Sequence, residues 1–325
     1  MKRDISVAIE RFPIAGHFTI ARGSRTEATV IVATIRMDGS VGRGECVPYA
    51  RYGESLESVA EQVQNVRAAV QDGATRKDLL TLLPAGAARN AVDCALWDLE
   101  ARRSGISVAD TLGVRLSPLT TAFTLSLDTA EAMAAKTRAN AQRPLLKIKL
   151  GSENDAARME AISKAAPNAR LIIDANEGWN ADNIEENFAA AARFRVDLIE
   201  QPLPAGKDDL LTQIKRPVPI CADESVHGDE DLDGLLGKYD FVNIKLDKTG
   251  GLTAALKVKA AAQQHGFGLM IGCMVGSSLA MAPALYLAQD AEFVDLDGPL
   301  LLARDRDGGL RYEGSTIFPP DTLWG

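Results

Sequence analysis

Eight apolar runs recur from about residue 120 onward, and their spacing constrains the fold more tightly than any other feature. They read TAFTLSL, LLKIKL, LIIDAN, DLIEQP, PICADES, FVNIKLDK, GLMIGC and EFVDLDG. One position from each (Thr124, Lys149, Asp174, Glu200, Asp223, Lys245, Ile271, Asp295) gives steps of 25, 25, 26, 23, 22, 26 and 24 residues. A step of that size accommodates a strand, a loop, a helix and a return loop. Intervening segments such as NDAARMEAISKAA and LTAALKVKAAAQQHG carry amphipathic helical patterns. The series predicts a parallel β/α barrel of the TIM type. A doubly wound open sheet gives similar spacing, but there ligands gather at one crevice. Here polar residues end nearly every run, as in barrels whose sites are built from many strand ends.

The first 115 or so residues read differently. SVAIERFPI and ATVIVATIRMDGSVGRGEC, with a turn at Asp38-Gly39, predict an antiparallel meander. Helices are expected at about 55–72 and 87–104, the second carrying Val92, Leu96 and Leu99 as a stripe before Gly105. The expected organisation is an α+β domain over 1–115, a barrel over 116–299, and a tail of about 300–325 that returns to the first domain.

A net charge of −8 argues against nucleic-acid and anionic-membrane partners. No apolar run reaches bilayer length, and Asp4, Glu10 and Arg11 fall where a signal peptide needs an apolar core, so a cytoplasmic location is expected. Four scattered cysteines and three scattered histidines make a zinc site built on sulfur and imidazole a poor expectation. Any metal should be a hard ion held by oxygen.

Asp174, Glu200 and Asp223 end three consecutive runs. Any one of them taken alone reads more readily as a solvated loop acid or a helix N-cap. Three at matching positions converge at the barrel mouth, where clustered anions need a cation, and a carboxylate set with water positions suits Mg²⁺. Lys149 and Lys245 bracket the acids, one strand before and one after. That order suits removal of the proton next to a carboxylate, with the ion stabilising the developing enediolate. Lys147 and Lys149 project from one face of the same strand, which is either a wet face or one that uses both charges.

The segments Lys147-Ile-Lys149, Asp174-Ala-Asn176, Glu200-Gln-Pro202, Asp223-Glu-Ser225 and Asn243-Ile-Lys245-Leu-Asp247-Lys248 resemble the enolase superfamily, muconate-lactonising subgroup. The resemblance spans essentially the whole chain and implies an N-terminal α+β capping domain with a modified (β/α)7β barrel. It implies one Mg²⁺ per subunit on Asp174, Glu200 and Asp223, Lys149 and Lys245 as an acid/base pair, and Lys147 on the substrate carboxylate. ARGSR, GECVPYARYGES, PAGAARNAVDCALWDLEARR and DLDGP are similar to the subgroup's dipeptide epimerases, isomerases acting on L-Ala-D/L-Glu. In that family the pair matching Asp295 and Asp297 binds the substrate ammonium, and two more carboxylates would indeed repel a dianion such as muconate.

Arg25 is similar to the arginine that binds the side-chain carboxylate, although Arg22 is not separable from it by sequence. Thr124 matches a residue that hydrogen-bonds the peptide, or is a β-branched barrel residue. The implied partner is a small dipeptide such as L-Ala-L-Glu, with a role in recycling cell-wall peptides; a homo-oligomer is compatible with the sequence. The same machinery would serve N-acylamino-acid racemisation, o-succinylbenzoate synthesis or muconate cycloisomerisation. A Schiff-base aldolase using Lys149 or Lys245, or a metal-stabilised scaffold, are readings from other classes. Lys248-Thr-Gly-Gly lacks the preceding glycines of a phosphate loop and reads as a loop before a helix. His265 reads as a capping or surface residue, and Cys273 and Met274 as pocket lining.

Overall fold

The computed structural model describes residues 2–151 and 153–325. The chain opens with three antiparallel strands, β1 (Asp4–Ile20), β2 (Gly23–Met37) and β3 (Ser40–Cys46), in that order across the sheet. Asp38 and Gly39 both take positive φ, 51° and 83°, as a two-residue hairpin between right-twisted strands requires. Helices Leu56–Asn65, Arg67–Gln71 and Arg76–Leu82 follow, with side-chain caps from Ser55 and Thr75 on the first and third. Helix Ala87–Ser104 then lies directly on the sheet. A Cβ at Gly42 would stand 2.2 Å from the Ala95 carbonyl oxygen, and one at Gly44 2.2 Å from that of Ala91. Both glycines are there because strand and helix backbones touch.

The short strand β4 (Leu119–Thr120) leads into the barrel, which consists of β5 (Phe123–Leu125), β6 (Leu145–Lys149), β7 (Arg170–Asp174), β8 (Leu198–Glu200), β9 (Ile220–Ala222), β10 (Phe241–Ile244), β11 (Gly268–Gly272) and β12 (Phe293–Asp295). These eight are parallel and adjacent in sequence order, which excludes the doubly wound alternative. The Ala122 N–H donates to Val294 O at 2.8 Å, joining the first strand's entrance to the last. Seven of the runs singled out by spacing contain a whole strand, and the eighth, LIIDAN, holds all of β7 but Arg170. Two connections differ from the expected pattern: β8 and β9 are followed by the 3₁₀ segments Asp209–Thr212 and Asp229–Leu235 instead of α-helices. They follow Glu200 and Asp223, where the steps are the two shortest, 23 and 22 residues, which leaves less chain for a full α-helix and both loops.

The barrel interior is layered with the two-residue period of its strands. Ala122, Leu145, Ile172, Leu198, Cys221, Phe241, Met270 and Phe293 form an apolar floor. Two residues further along each strand stand Thr124, Lys147, Asp174, Glu200, Asp223, Asn243, Gly272 and Asp295. Lys149 and Lys245 occupy the next step up. On strand seven the interior position is thus Gly272; Ile271, picked out by spacing, instead belongs to the core between sheet and helices. A Cβ at Gly272 would lie 2.5 Å from Asn243 Oδ1.

The tail serves both bodies. The hairpin β13 (Tyr312–Glu313) and β14 (Thr316–Ile317) pairs with β4. Leu302 bridges Ile14, and Trp324 Nε1 donates to Cys94 O at 3.0 Å on the capping helix.

The contact of β3 with its helix predicts that Gly44→Ala destabilises the protein by at least about 1–3 kcal/mol, the usual cost of overpacking. Thermal unfolding of the variant checks this, and an unchanged transition contradicts the close approach.

Candidate active site

Lys147 is 1 % exposed, so the wet-face reading of its strand is excluded. Its Nζ lies 2.6 Å from Glu200 Oε2, 2.7 Å from Asp295 Oδ2 and 3.2 Å from Asp174 Oδ2. Burial works against the ammonium, but Asp295, Glu200 and Asp174 outweigh it and hold its pKa well above the ordinary lysine value. The two lysines of β6 therefore stand at different levels: Lys147 among the acids and Lys149 above them.

Lys149 Nζ donates to Asp174 Oδ2 at 2.5 Å. Across the arc, Lys245 Nζ donates to Asp223 Oδ2 at 2.6 Å and stands 3.8 Å from Glu200 Oε1. The register sets Lys149 beside Asp174 and Asp174 beside Glu200, so the three acids follow round the barrel with one amine at either end. Burial raises the pKa of Asp174, but Lys149 and Lys147 overcome this and hold it well below the usual carboxylate range. Asp223 is likewise held low against burial by Lys245 and Lys248. Glu200, between them, is pushed up to about 7 by burial and by the charge of Asp174.

This donor set fits a hard divalent cation. It is all oxygen, and Glu200 Oε2, at the middle of the arc, accepts no aligned hydrogen bond despite its closeness to Lys147. Asn243 Nδ2 fixes the other oxygen, Oε1, at 2.8 Å. Among the described residues no three acids already form a ligand cage. Ammonium groups lie between them instead, Lys147 bridging Asp174 to Glu200 and Lys245 bridging Glu200 to Asp223.

A cleft of about 750 Å³, mouth included, opens above the amines. Lys149, Lys245, Asp223, Asn176 and Glu224 line it from the barrel; Phe18, Ile20, Arg22, Arg25, Tyr49 and Tyr52 line it from the capping domain. The two arginines have different partners. Arg22 donates to Glu224 Oε1 at 2.6 Å, Glu177 Oε2 at 3.1 Å and Asn176 O at 2.7 Å, tying cap to barrel. Arg25 faces the cleft from an exposed position, its guanidinium 5.5 Å from the Tyr49 ring centroid, and has no carboxylate partner among the described residues.

The remaining expected residues lie beside the cleft. Asp295 is paired to Lys147, and Asp297 Oδ2 accepts from the Thr124 N–H at 2.6 Å. Both acids are almost fully buried, and burial with the charge of Asp295 pushes Asp297 up to about 7. Thr124 itself lines a neighbouring cavity under the β1–β2 hairpin. Cys273 and Met274 line the cleft. His265 caps a helix end, with Nδ1 2.8 Å from Ala261 O.

Sequence reasoning missed Lys248. It is 1 % exposed and donates to Asp223 Oδ1 at 2.6 Å, Asp223 O at 2.5 Å and Asn243 O at 2.9 Å. The signal was its place one helical turn after Lys245; the glycines that follow drew attention to a phosphate loop instead. Gly250 and Gly251, with φ of 78° and 102°, do shape the loop as expected.

Residues 2–113 match the mandelate racemase / muconate lactonizing enzyme N-terminal domain, and residues 128–321 the enolase C-terminal domain-like family. The chain belongs to the enolase superfamily. Within this superfamily it is 47% identical to the L-Ala-D/L-Glu epimerase of Escherichia coli (strain K12), over 95% of this chain and 98% of that protein. It is 48% identical to an N-acetyl-D-glutamate racemase of Pseudoalteromonas sp, over 91% and 95%. An Agrobacterium tumefaciens enolase-family protein with homology to dipeptide epimerases, solved with sodium and L-Ala-L-Glu, superposes with a TM-score of 0.98 at 58% identity, over 99% of this chain and 100% of that one. A Methylococcus capsulatus dipeptide epimerase, complexed with Mg and L-Arg-D-Lys, gives 0.91 at 32% identity, over 100% and 99%. These relatives place the chain among the isomerases of amino-acid derivatives.

The oxygen donor set predicts that Mg²⁺ raises the thermal transition, by about 2.7 kcal/mol of stability at a hundredfold excess over its dissociation constant. Asp223→Asn should abolish most of that shift in a Mg²⁺ titration followed by melting. An unshifted parent protein contradicts the metal site.

Proposed function

We propose that this chain epimerises L-Ala-L-Glu and L-Ala-D-Glu by moving the glutamate α-proton between Lys149 and Lys245. The observation that carries the reading is the placement of these two amines at opposite ends of the Asp174–Glu200–Asp223 arc, both open to one cleft. A Mg²⁺ ion on the three acids would supply positive charge against the charge that builds on the substrate carboxylate. One lysine, as the free amine, takes the α-proton while the C–H electrons pass into the carboxylate. The ammonium of the other delivers a proton to the opposite face, forming the new C–H bond. The two lysines end with exchanged protonation states, and solvent restores them. In the reverse direction they trade roles. Burial opposes the Lys245 ammonium, but the charges of Asp223 and Glu200 outweigh it and raise its pKa.

Arg25 supplies the cation for the glutamate side chain, because Arg22 is committed to Glu177 and Glu224. Asp297, with Asp295 beside it, supplies the acceptors for the dipeptide's ammonium, and Thr124 holds Asp297 in place through its N–H. Lys147, in the acid layer, contributes fixed positive charge below the substrate carboxylate. A role in recycling cell-wall peptides fits this substrate; no described helix is long and apolar enough to cross a membrane.

N-acetylglutamate racemisation is the second reading, favoured by the racemase relative and by the Lys147–Asp295 pair, which leaves Asp295 already neutralised. It needs the glutamate handle but no ammonium site. Asp297→Gly separates the two: it should lower dipeptide turnover more than tenfold and leave N-acetylglutamate unaffected if both are substrates.

Proton NMR of L-Ala-L-Glu with enzyme and Mg²⁺ in D₂O should show the glutamate α-proton signal vanish and the second diastereomer appear. Lys149→Ala and Lys245→Ala should each abolish interconversion; turnover surviving in either removes the two-amine scheme. Arg25→Ala should raise KM for L-Ala-L-Glu by about tenfold to a hundredfold, the worth of a hydrogen bond to a charged group, and leave L-Ala-L-Ala unchanged.

A further inference from the structure

The two amines are held by different parts of the molecule. Lys245 opens a single helical turn, Leu246–Thr249, that ends at Gly250 and Gly251. That turn is gripped from outside the barrel by one helix of the capping domain, Ala87–Ser104. Arg89 donates to the carbonyls of Thr249 at 2.8 Å and Gly250 at 3.2 Å. Asn90 Nδ2 donates to Asp247 Oδ1 at 2.8 Å. Asp93 accepts from the Thr253 N–H at 2.9 Å and its hydroxyl at 2.6 Å. The fit is close: a Cβ at Gly250 would lie 2.3 Å from Arg89 Nε, and one at Gly251 2.5 Å from Asp93 Oδ2.

Asp247 is the centre of this grip. It is 6 % exposed, and the oxygen that receives Asn90 also accepts the Val47 N–H at 3.0 Å. Val47 stands two residues before Tyr49 on the stretch whose Tyr49 and Tyr52 line the cleft. One carboxylate oxygen therefore joins the cap helix, the cap loop over the substrate and the turn that begins at Lys245.

Among the described residues no such set of hydrogen bonds from the cap supports Lys149, although Ala21 packs close to Gly151. Its strand runs on into Leu150, whose N–H donates to Asp174 O at 2.9 Å, and into Gly151, whose N–H donates to Asp155 at 2.8 Å, both within the barrel. From the cap it meets the Phe18 ring, 5.9 Å from Nζ, and among the described residues no hydrogen bond joins residues 149–151 to the capping domain.

We propose that Asp247 is a positioning residue for Lys245, so that the capping domain governs proton transfer on one face of the substrate and not on the other. The face-selective part rests on the two-lysine epimerase reading; the anchoring part does not. Each diastereomer gives up its α-proton to one lysine, and that lysine's exchange with solvent reads its placement alone.

The test compares Asp247→Ala and Asp247→Asn with the parent enzyme. Lys245→Ala first identifies the diastereomer whose α-proton exchange in D₂O depends on Lys245. Asp247→Ala should slow that exchange by at least about tenfold, since small misplacements of a reacting group are costly, and leave exchange from the other diastereomer within about threefold. Asp247→Asn keeps an acceptor oxygen for both donors and should restore most of the loss. Equal losses from both diastereomers, or no loss from either, overturn the proposal. If Asp247→Ala does not fold, Asn90→Ala removes one of the two donors and should show the same one-sided loss. Backbone hydrogen–deuterium exchange supplies a readout free of the reaction. In Asp247→Ala, or in Asn90→Ala where it takes that variant's place, the peptide covering 244–251 should lose protection while 145–151 keeps its own, and unchanged protection in 244–251 overturns the anchoring. If the parent exchanges neither diastereomer, the epimerase reading falls, and amide exchange still decides whether Asp247 anchors the turn.

Discussion

A buried ammonium among three carboxylates is the interaction on which the rest of this molecule turns. Lys147 reaches Glu200, Asp295 and Asp174 from one interior position, within a layer that no single strand builds. Ions of one sign at that depth cost several kcal/mol each unless they are paired, and removing one partner of a buried pair typically costs about 3–5 kcal/mol. The barrel therefore has to bring strands β6, β7, β8 and β12 into register before its charges are tolerable. Closure from first strand to last is part of the site, because Asp295 enters from the last strand and Lys147 from the second.

The vertical order of the interior then divides the labour. An apolar floor excludes water, the acids and Lys147 stand on it, and Lys149 and Lys245 rise above them into the cleft. This arrangement fixes negative charge where a cation is needed and puts the amines where a substrate can meet both. The cap completes the cleft with Arg25 and two tyrosines, while Arg22 fastens it to Glu177 and Glu224 at the ends of β7 and β9. The cleft thus joins groups from cap loops, such as Arg25, to groups from barrel strand ends, such as Lys149 and Lys245.

The barrel was legible because its period was: each of the eight runs overlaps one strand, and the acids ended three of them. The layered interior was only half legible. Spacing alone cannot distinguish a residue at one level from its neighbour two positions on, so Lys147 and Lys149 read as one pair, and steps that vary by a residue or more put Ile271, on the opposite strand face, where Gly272 belongs. The 3₁₀ connections were written in the short 23- and 22-residue steps. Lys248 was signalled only by its place one helical turn after Lys245, and the division between Arg22 and Arg25 was not readable, since it depends on which distant carboxylates lie within reach. The same holds for Asp247, whose partners Val47 and Asn90 are about 200 and 157 positions away.

The most direct test of this account is a structure of the protein crystallised with Mg²⁺ and L-Ala-L-Glu. It predicts one ion shared by Asp174, Glu200 and Asp223, with the amine nitrogens of Lys149 and Lys245 on opposite faces of the glutamate α-carbon, each near the roughly 3–3.5 Å of a reacting pair. Both nitrogens on the same face, or an ion bound away from those three acids, would contradict it.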